Sequence, residues 1–224
     1  MRVRVLRGRA ESPAADVERT GAMLDRTGET GVPAVRVWTP HRQVAFGRRD
    51  ARAAGYESAR AAAADRGYPA VERHVGGRAV AYTGTTVAVA WTEPVADLRE
   101  GLQDRYEALT GAIQRALWRC GVPAQRGEPD GAFCPGGHAL SCRGKVAGLA
   151  QRVRQEAALV GGVVVVDGHG EIGDVLASVY GALDVPFVGD AVGSVARAGG
   201  DVAGVRDAVE ATIVADADPE YDQV

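Results

Sequence analysis

Two apolar runs limit the fold more than any other feature of the chain: Thr86-Val87-Ala88-Val89-Ala90-Trp91 and Val163-Val164-Val165-Val166. Neither alternates with polar residues, so each reads as a strand covered on both faces. Covering layers must then lie above and below the sheet. Shorter strands are predicted at 3–6, 34–38, 44–46, 70–73 and 79–82, and the second run extends to 167. Helical spacing is clearest over 98–119, where Leu98, Leu102, Leu109, Ile113 and Leu117 recur with charges between them. Further helices are predicted at 13–27, 57–66, 173–183 and 202–214, the last with Val202, Val205, Val209 and Ile213 on its apolar face. Strands in runs divided by a few helices imply an α/β (α+β) fold, with a mixed, largely antiparallel sheet flanked by helices.

A single domain is expected over residues 1–214, followed by an acidic, disordered tail at 215–224. The net charge of −3 argues against a broad basic surface for nucleic acid, and no apolar stretch is long enough to span a membrane. Residues 1–7 alternate charged and apolar side chains, as in an edge strand; a signal peptide needs a continuous apolar segment. The expected location is therefore cytoplasmic, where Cys120, Cys134 and Cys142 would be reduced thiols. Their spacing matches no zinc pattern, so no metal site is expected.

Of 26 basic residues only Lys145 is lysine. Where arginine replaces lysine almost everywhere, a surviving lysine points to a place that needs a compact ammonium. Lys145 stands in Arg143-Gly144-Lys145-Val146-Ala147-Gly148, whose glycines leave room for a ligand beside it. A Walker A loop is excluded, because Val146 follows the lysine where serine or threonine is required. A second segment, Glu72-Arg73-His74-Val75-Gly76-Gly77-Arg78, reads as a strand delivering Arg73 to a Gly-Gly turn. On its own it also fits an ordinary hairpin. A third, Cys134-Pro135-Gly136-Gly137-His138, is a tight loop that suits a thiol activated by a neighbouring cation, with His138 a candidate base; on its own it also fits a small residue packed under a turn and a solvated histidine.

Taken in order, Arg73-x-x-Gly76-Gly77-x-Ala79-Val80 and Gly144-Lys145-x-x-Gly148-x-Ala150-Gln151-Arg152 resemble the motif pair of the lipoate–protein ligase and octanoyltransferase family. Val44-Ala45-Phe46-Gly47-Arg48 resembles that family's early strand and glycine turn. The resemblance implies a biotin/lipoate ligase-like catalytic domain that holds an acyl chain in a slot. It implies that Gly76 and Gly77 line the slot, and that Lys145 contacts the acyl carbonyl or acyl phosphate. Arg73, Gly144 and Gly148 are carried over as substrate-binding residues. The first motif departs from the family at Glu72, where a second arginine is usual.

The family divides by chemistry. Ligases use ATP and magnesium to form an acyl-adenylate; transferases pass an activated acyl group through a cysteine thioester and need no cofactor. Phe133-Cys134-Pro135-Gly136 resembles the cysteine loop of the octanoyl-[glycine cleavage H protein]:protein N-octanoyltransferases, so Cys134 is the expected nucleophile and Cys142 its rival. The implied substrates are octanoate or lipoate. The implied partners are lipoyl carrier domains, namely the 2-oxoacid dehydrogenase acyltransferase subunits and the glycine cleavage H protein. The alternatives are an ATP-dependent lipoate–protein ligase and a non-catalytic acyl-binding homologue. Either active form predicts that Arg73, Gly76, Gly77, Cys134 and Lys145 line one elongated, mostly apolar pocket.

Overall fold

The computed structural model describes residues 1–73, 75–97 and 100–224; His74 of the Gly-Gly segment and Leu98, the expected start of the long helix, lie outside the described residues. The strands are β1 (Arg2–Arg7), β2 (Ala34–Trp38), β3 (Gln43–Phe46), β4 (Ala70–Glu72), β5 (Val80–Tyr82), β6 (Thr86–Pro94), β7 (Gln125–Arg126), β8 (Ala139–Ser141), β9 (Lys145–Val153), β10 (Ala157–Val165) and β11 (Asp218–Gln223). The helices are α1 (Pro13–Thr30), α2 (Tyr56–Ala64), α3 (Leu102–Arg119), α4 (His169–Ala182), α5 (Val195–Ala198) and α6 (Val205–Ile213).

Eight strands form one sheet in the order β11-β1-β2-β6-β10-β9-β8-β7, and three form a second in the order β4-β3-β5. In the large sheet only the β11/β1 and β1/β2 pairs are parallel. The two apolar runs are its centre. On one face, Val87 and Val89 of β6 and Val160 and Val164 of β10 bury against Leu109, Ile113 and Leu117 of α3 and Val205 and Val209 of α6. On the other, Ala88 and Val163 share a core with Val44, Phe46 and Val80 of the small sheet and Ile172, Val175 and Leu176 of α4. Met23 and Leu24 of α1 close the rest of that face over Ala34, Ala90 and Leu159. α1 is set by local chemistry: Ser12 accepts from Ala15 N at 3.2 Å, Pro13 starts the helix, and Gly31 ends it at φ +68°.

Three expectations need correction. Residues 218–223 are no disordered tail. They pair in parallel with β1, Arg2 opposite Asp218 through Arg7 opposite Gln223, and Arg4 reaches Asp222 at 2.9 Å. The acidic strand is held by the basic edge beside it. The Gly-Gly segment is no hairpin turn, because β4 and β5 both pair with β3 on opposite sides and the chain between them crosses over. The last helix begins at Val205, not Val202; Asp201 Oδ1 accepts from Ala203 N at 2.9 Å and holds that stretch in a turn, leaving Val202 exposed.

Candidate active site

A slot runs between the two sheets, across the strands. Register puts Trp38 opposite Ala88, Ala88 opposite Val163 and Val163 opposite Gly148, and all four side-by-side positions line the cavity. Three inter-strand steps of about 4.8 Å make this row roughly 14 Å long. The next row supplies Ala90, Gly161 and Ala150, so small residues form the floor. Val75, from the Gly-Gly segment, stands over Gly161. The cavity is about 120 Å³ and partly open, with Asp16, Thr20 and Leu24 of α1 lining its far end. That end is not wholly apolar: Asp16 is ion-paired with the buried Arg36, and Gln43 is buried on the wall. Filling the floor should shorten the acyl group accepted. Ala90→Leu is expected to weaken binding of an eight-carbon chain by at least about tenfold while sparing a four-carbon one, measured as KM across donors of different length; equal effects on both would mean that the chain lies elsewhere.

Arg73, Cys134, Lys145 and Gly148 line the near end. β7 and β8 pair to close a long loop, and the loop carries Glu128, Phe133 and Cys134. Cys134 adopts φ +43°, unusual for a residue with a side chain. Its amide donates to Tyr180 Oη at 2.6 Å, and Tyr180 in turn donates to Ala79 O at 3.0 Å. The sulfur accepts from Arg73 Nη2 at 3.3 Å and from Arg78 N at 3.2 Å. Arg73 Nη2 also donates to Arg78 O at 2.7 Å, which ties the guanidinium to the crossing segment. Burial works against the Arg73 charge, but Cys134 and Tyr82 outweigh it and hold its pKa above the ordinary arginine value. Burial, reinforced by Cys134, pushes the Tyr180 hydroxyl well up, so it stays a neutral donor.

Gly77 is required on two grounds. Its φ is +90°, and a Cβ there would lie 2.5 Å from Cys134 Sγ and 2.9 Å from Arg73 Nη2. Gly77→Ala is therefore expected to displace the sulfur and lower acyl transfer by about 10²-fold, read from initial rates beside a thermal melt. A large fall in melting temperature with unchanged turnover of the folded fraction would assign Gly77 to stability alone.

Lys145 begins β9 and is 1% exposed. Its ammonium donates to Glu128 Oε1 at 2.8 Å and Oε2 at 3.0 Å, to Phe133 O at 2.9 Å and to Cys134 O at 2.9 Å. Gly148 makes room for it, since a Cβ there would meet Lys145 Cε at 2.7 Å. The three N–H donors of Lys145 thus face four protein oxygens.

The remaining candidates divide. Gly76 sits over the Gln151 carbonyl and Gly77 under the sulfur, and neither lines the cavity itself. Gly144, at φ +114°, packs on the backbone of residues 191–193, outside the lining. Cys142 packs beside the α3 core, and burial pushes the Cys120 thiol up; neither lines the slot. His138 stacks on Tyr106 at 3.9 Å between ring centres. Glu72 is exposed, accepts from Tyr56 Oη at 2.9 Å, and lines a separate recess of about 220 Å³ with Arg48, Arg52 and Arg73. Sequence reasoning missed Glu128, Tyr82 and Tyr180. Glu128 had a weak signal in lying just before the cysteine loop; the tyrosines had none.

Among the described residues no helix is long and apolar enough to cross a membrane, and no group of three or more His, Cys, Asp or Glu could hold a metal ion. A family model described as the lipoyl protein ligase A/B catalytic domain matches residues 13–213. The chain is 31% identical to an octanoyl-[GcvH]:protein N-octanoyltransferase of Anoxybacillus flavithermus, over 75% of this chain and 62% of that protein. It is 32% identical to a protein of the same description from Bacillus velezensis, over 62% of this chain and 51% of that one. The matched region thus spans between half and two thirds of these relatives' lengths. A crystal structure of lipoate-protein ligase A bound with ATP superposes with a TM-score of 0.79 at 17% identity, covering 100% of this chain and 90% of that one; this likeness is one of fold.

Proposed function

The chain belongs to the lipoyl protein ligase A/B catalytic domain family, and from that premise we propose that it transfers an octanoyl or lipoyl group to a lysine of a lipoyl carrier domain through a thioester on Cys134. One observation carries this reading: Cys134 sits at the mouth of an apolar slot with the Arg73 guanidinium and the Arg78 amide both directed at its sulfur. Those two donors suit an anionic sulfur, the form that attacks a carbonyl. The octanoyl-[GcvH]:protein N-octanoyltransferases among its relatives support the same choice.

The chemistry follows in two exchanges. The acyl chain enters the slot and its carbonyl lies at the cysteine. The sulfur–carbon bond forms as the donor's carbon–nitrogen bond breaks, and the departing amine takes up a proton. The acceptor lysine, as a neutral amine, then attacks the thioester. A new amide forms, sulfur leaves as thiolate, and the attacking amine releases its proton. Lipoyl carrier domains, among them the glycine cleavage H protein, are the proposed partners. Lys145 holds the loop that presents the sulfur, and Tyr180 holds that loop's amide.

A second reading has its own support. The recess sets Arg48, Arg52 and Arg73 against a single carboxylate, Glu72, and adjoins the slot through Arg73, so its excess of positive charge suits the phosphates of a nucleotide. In that case ATP would supply activation as an acyl-adenylate, Arg48 and Arg52 would hold its phosphates, and Cys134 would be structural. The deciding experiment is intact-mass analysis after mixing the protein with an octanoylated carrier domain. Cysteine chemistry gives one octanoyl mass on the protein without ATP, removed by hydroxylamine. A ligase gives no such adduct, and turnover from free acid that needs ATP and magnesium.

A further inference from the structure

We propose that Glu128 is a positioning residue for the reaction, which clasps both arms of the cysteine loop and acts on Cys134 through Lys145. Its carboxylate makes two kinds of contact. Both oxygens accept from Lys145 Nζ, and Oε2 also accepts from Gly136 N at 3.2 Å. Lys145 in turn donates to the carbonyls of Phe133 and Cys134. The loop is therefore held before the cysteine by lysine, at the cysteine by lysine, and two residues after it by glutamate.

The clasp explains a conformation that nothing local favours. Cys134 lies at φ +43°, which costs free energy for a residue with a Cβ unless its surroundings hold it there. Tyr180 fixes its amide and Lys145 fixes its carbonyl, so the peptide groups on both sides are set, and from that backbone the sulfur meets Arg73 and the Arg78 amide. Remove the Glu128 charge and the ammonium, 1% exposed, loses the anionic contact that glutamate supplies. It would turn toward solvent, and both carbonyls would lose their donor. A misplacement of the sulfur on the order of 1 Å is enough to cost a reaction up to about 10²-fold.

A glutamate that merely neutralised a buried lysine would affect stability and nothing else. The two roles separate in the reactivity of Cys134, which also separates this inference from the acyl-transfer reading, since alkylation needs no acyl donor. The probe is iodoacetamide at pH 7, with peptide-resolved mass spectrometry following Cys134 and Cys142 in the same sample. Glu128→Gln, which keeps the shape and loses the charge, is expected to slow Cys134 alkylation by at least about tenfold and leave Cys142 unchanged. For acyl transfer, kcat should fall by a similar factor with KM near the wild-type value. In a Lys145→Met background Glu128→Gln should add almost nothing, because the path to the sulfur is already broken. An unchanged Cys134 rate in both Glu128→Gln and Glu128→Ala overturns the proposal, and so does an undiminished effect in the Lys145→Met background. Slowed alkylation in a protein that transfers no acyl group upholds the clasp and defeats the acyl-transfer reading instead.

Discussion

Cys134→Ala is expected to abolish the octanoyl adduct and to lower ATP-independent acyl transfer by at least about 10³-fold, since removing a covalent nucleophile leaves only binding and positioning. Cys134→Ser should do nearly as badly. The donors at 3.2–3.3 Å suit an anionic sulfur, and a hydroxyl is far harder to ionise without a base, which neither Arg73 nor Tyr180 can provide. Cys142→Ser should retain both adduct and transfer, because Cys142 packs beside the α3 core and does not line the slot. The measurement is intact mass with and without hydroxylamine, alongside transfer to an unmodified carrier domain. Full activity in Cys134→Ala would move the chemistry to an adenylate mechanism.

The second large effect is expected at Lys145. Lys145→Ala removes the donor to two loop carbonyls and leaves Glu128 without its partner. Loss of position at the sulfur should lower acyl transfer by at least about 10²-fold. The melting temperature should also fall, since a half-buried carboxylate is left uncompensated. Lys145→Arg should not restore activity. The ammonium occupies a closed space beside Gly148, and a planar guanidinium cannot meet the same oxygens. Full rescue by arginine, judged by kcat in a protein that melts normally, would show that positive charge is sufficient there.

The centre of the fold was plain in the residues because β6 and the end of β10 are unbroken apolar runs, α3 carries strong periodicity, and α1 carries both periodicity and caps. The start of β10 was not. Ala157, Gly161 and Gly162 lack the bulk that marks a strand, and they are small because two of them face the slot or the crowded α3 side. β7 is two exposed residues, Gln125 and Arg126, with no pattern to read, so the hairpin that frames the cysteine loop went unseen. β11 read as a tail because its acidity repels itself in isolation; it becomes a strand through its parallel pairing with β1 and the Arg4–Asp222 ion pair. In the site, Cys134, Arg73 and Lys145 were visible through motif order and the rarity of lysine. Glu128, Tyr82 and Tyr180 depend on tertiary approach, which no local spacing encodes. The orientation of Lys145 also escaped, since sequence shows that a cation is needed but not which oxygens it meets.

The solitary lysine has a consequence for the fate of the protein in its own reaction mixture. On the proposed reading, this is a catalyst that moves activated acyl groups onto lysine amines, and any surface lysine near the slot would be a competing acceptor. This chain has one lysine in 224 residues, it is 1% exposed, and its nitrogen is occupied by four oxygens. The remaining 25 basic side chains are arginines, which present a guanidinium in place of an amine. The chain thus offers almost no side-chain amine of its own for acylation, and acyl groups held at Cys134 are left to lysines that arrive on another protein.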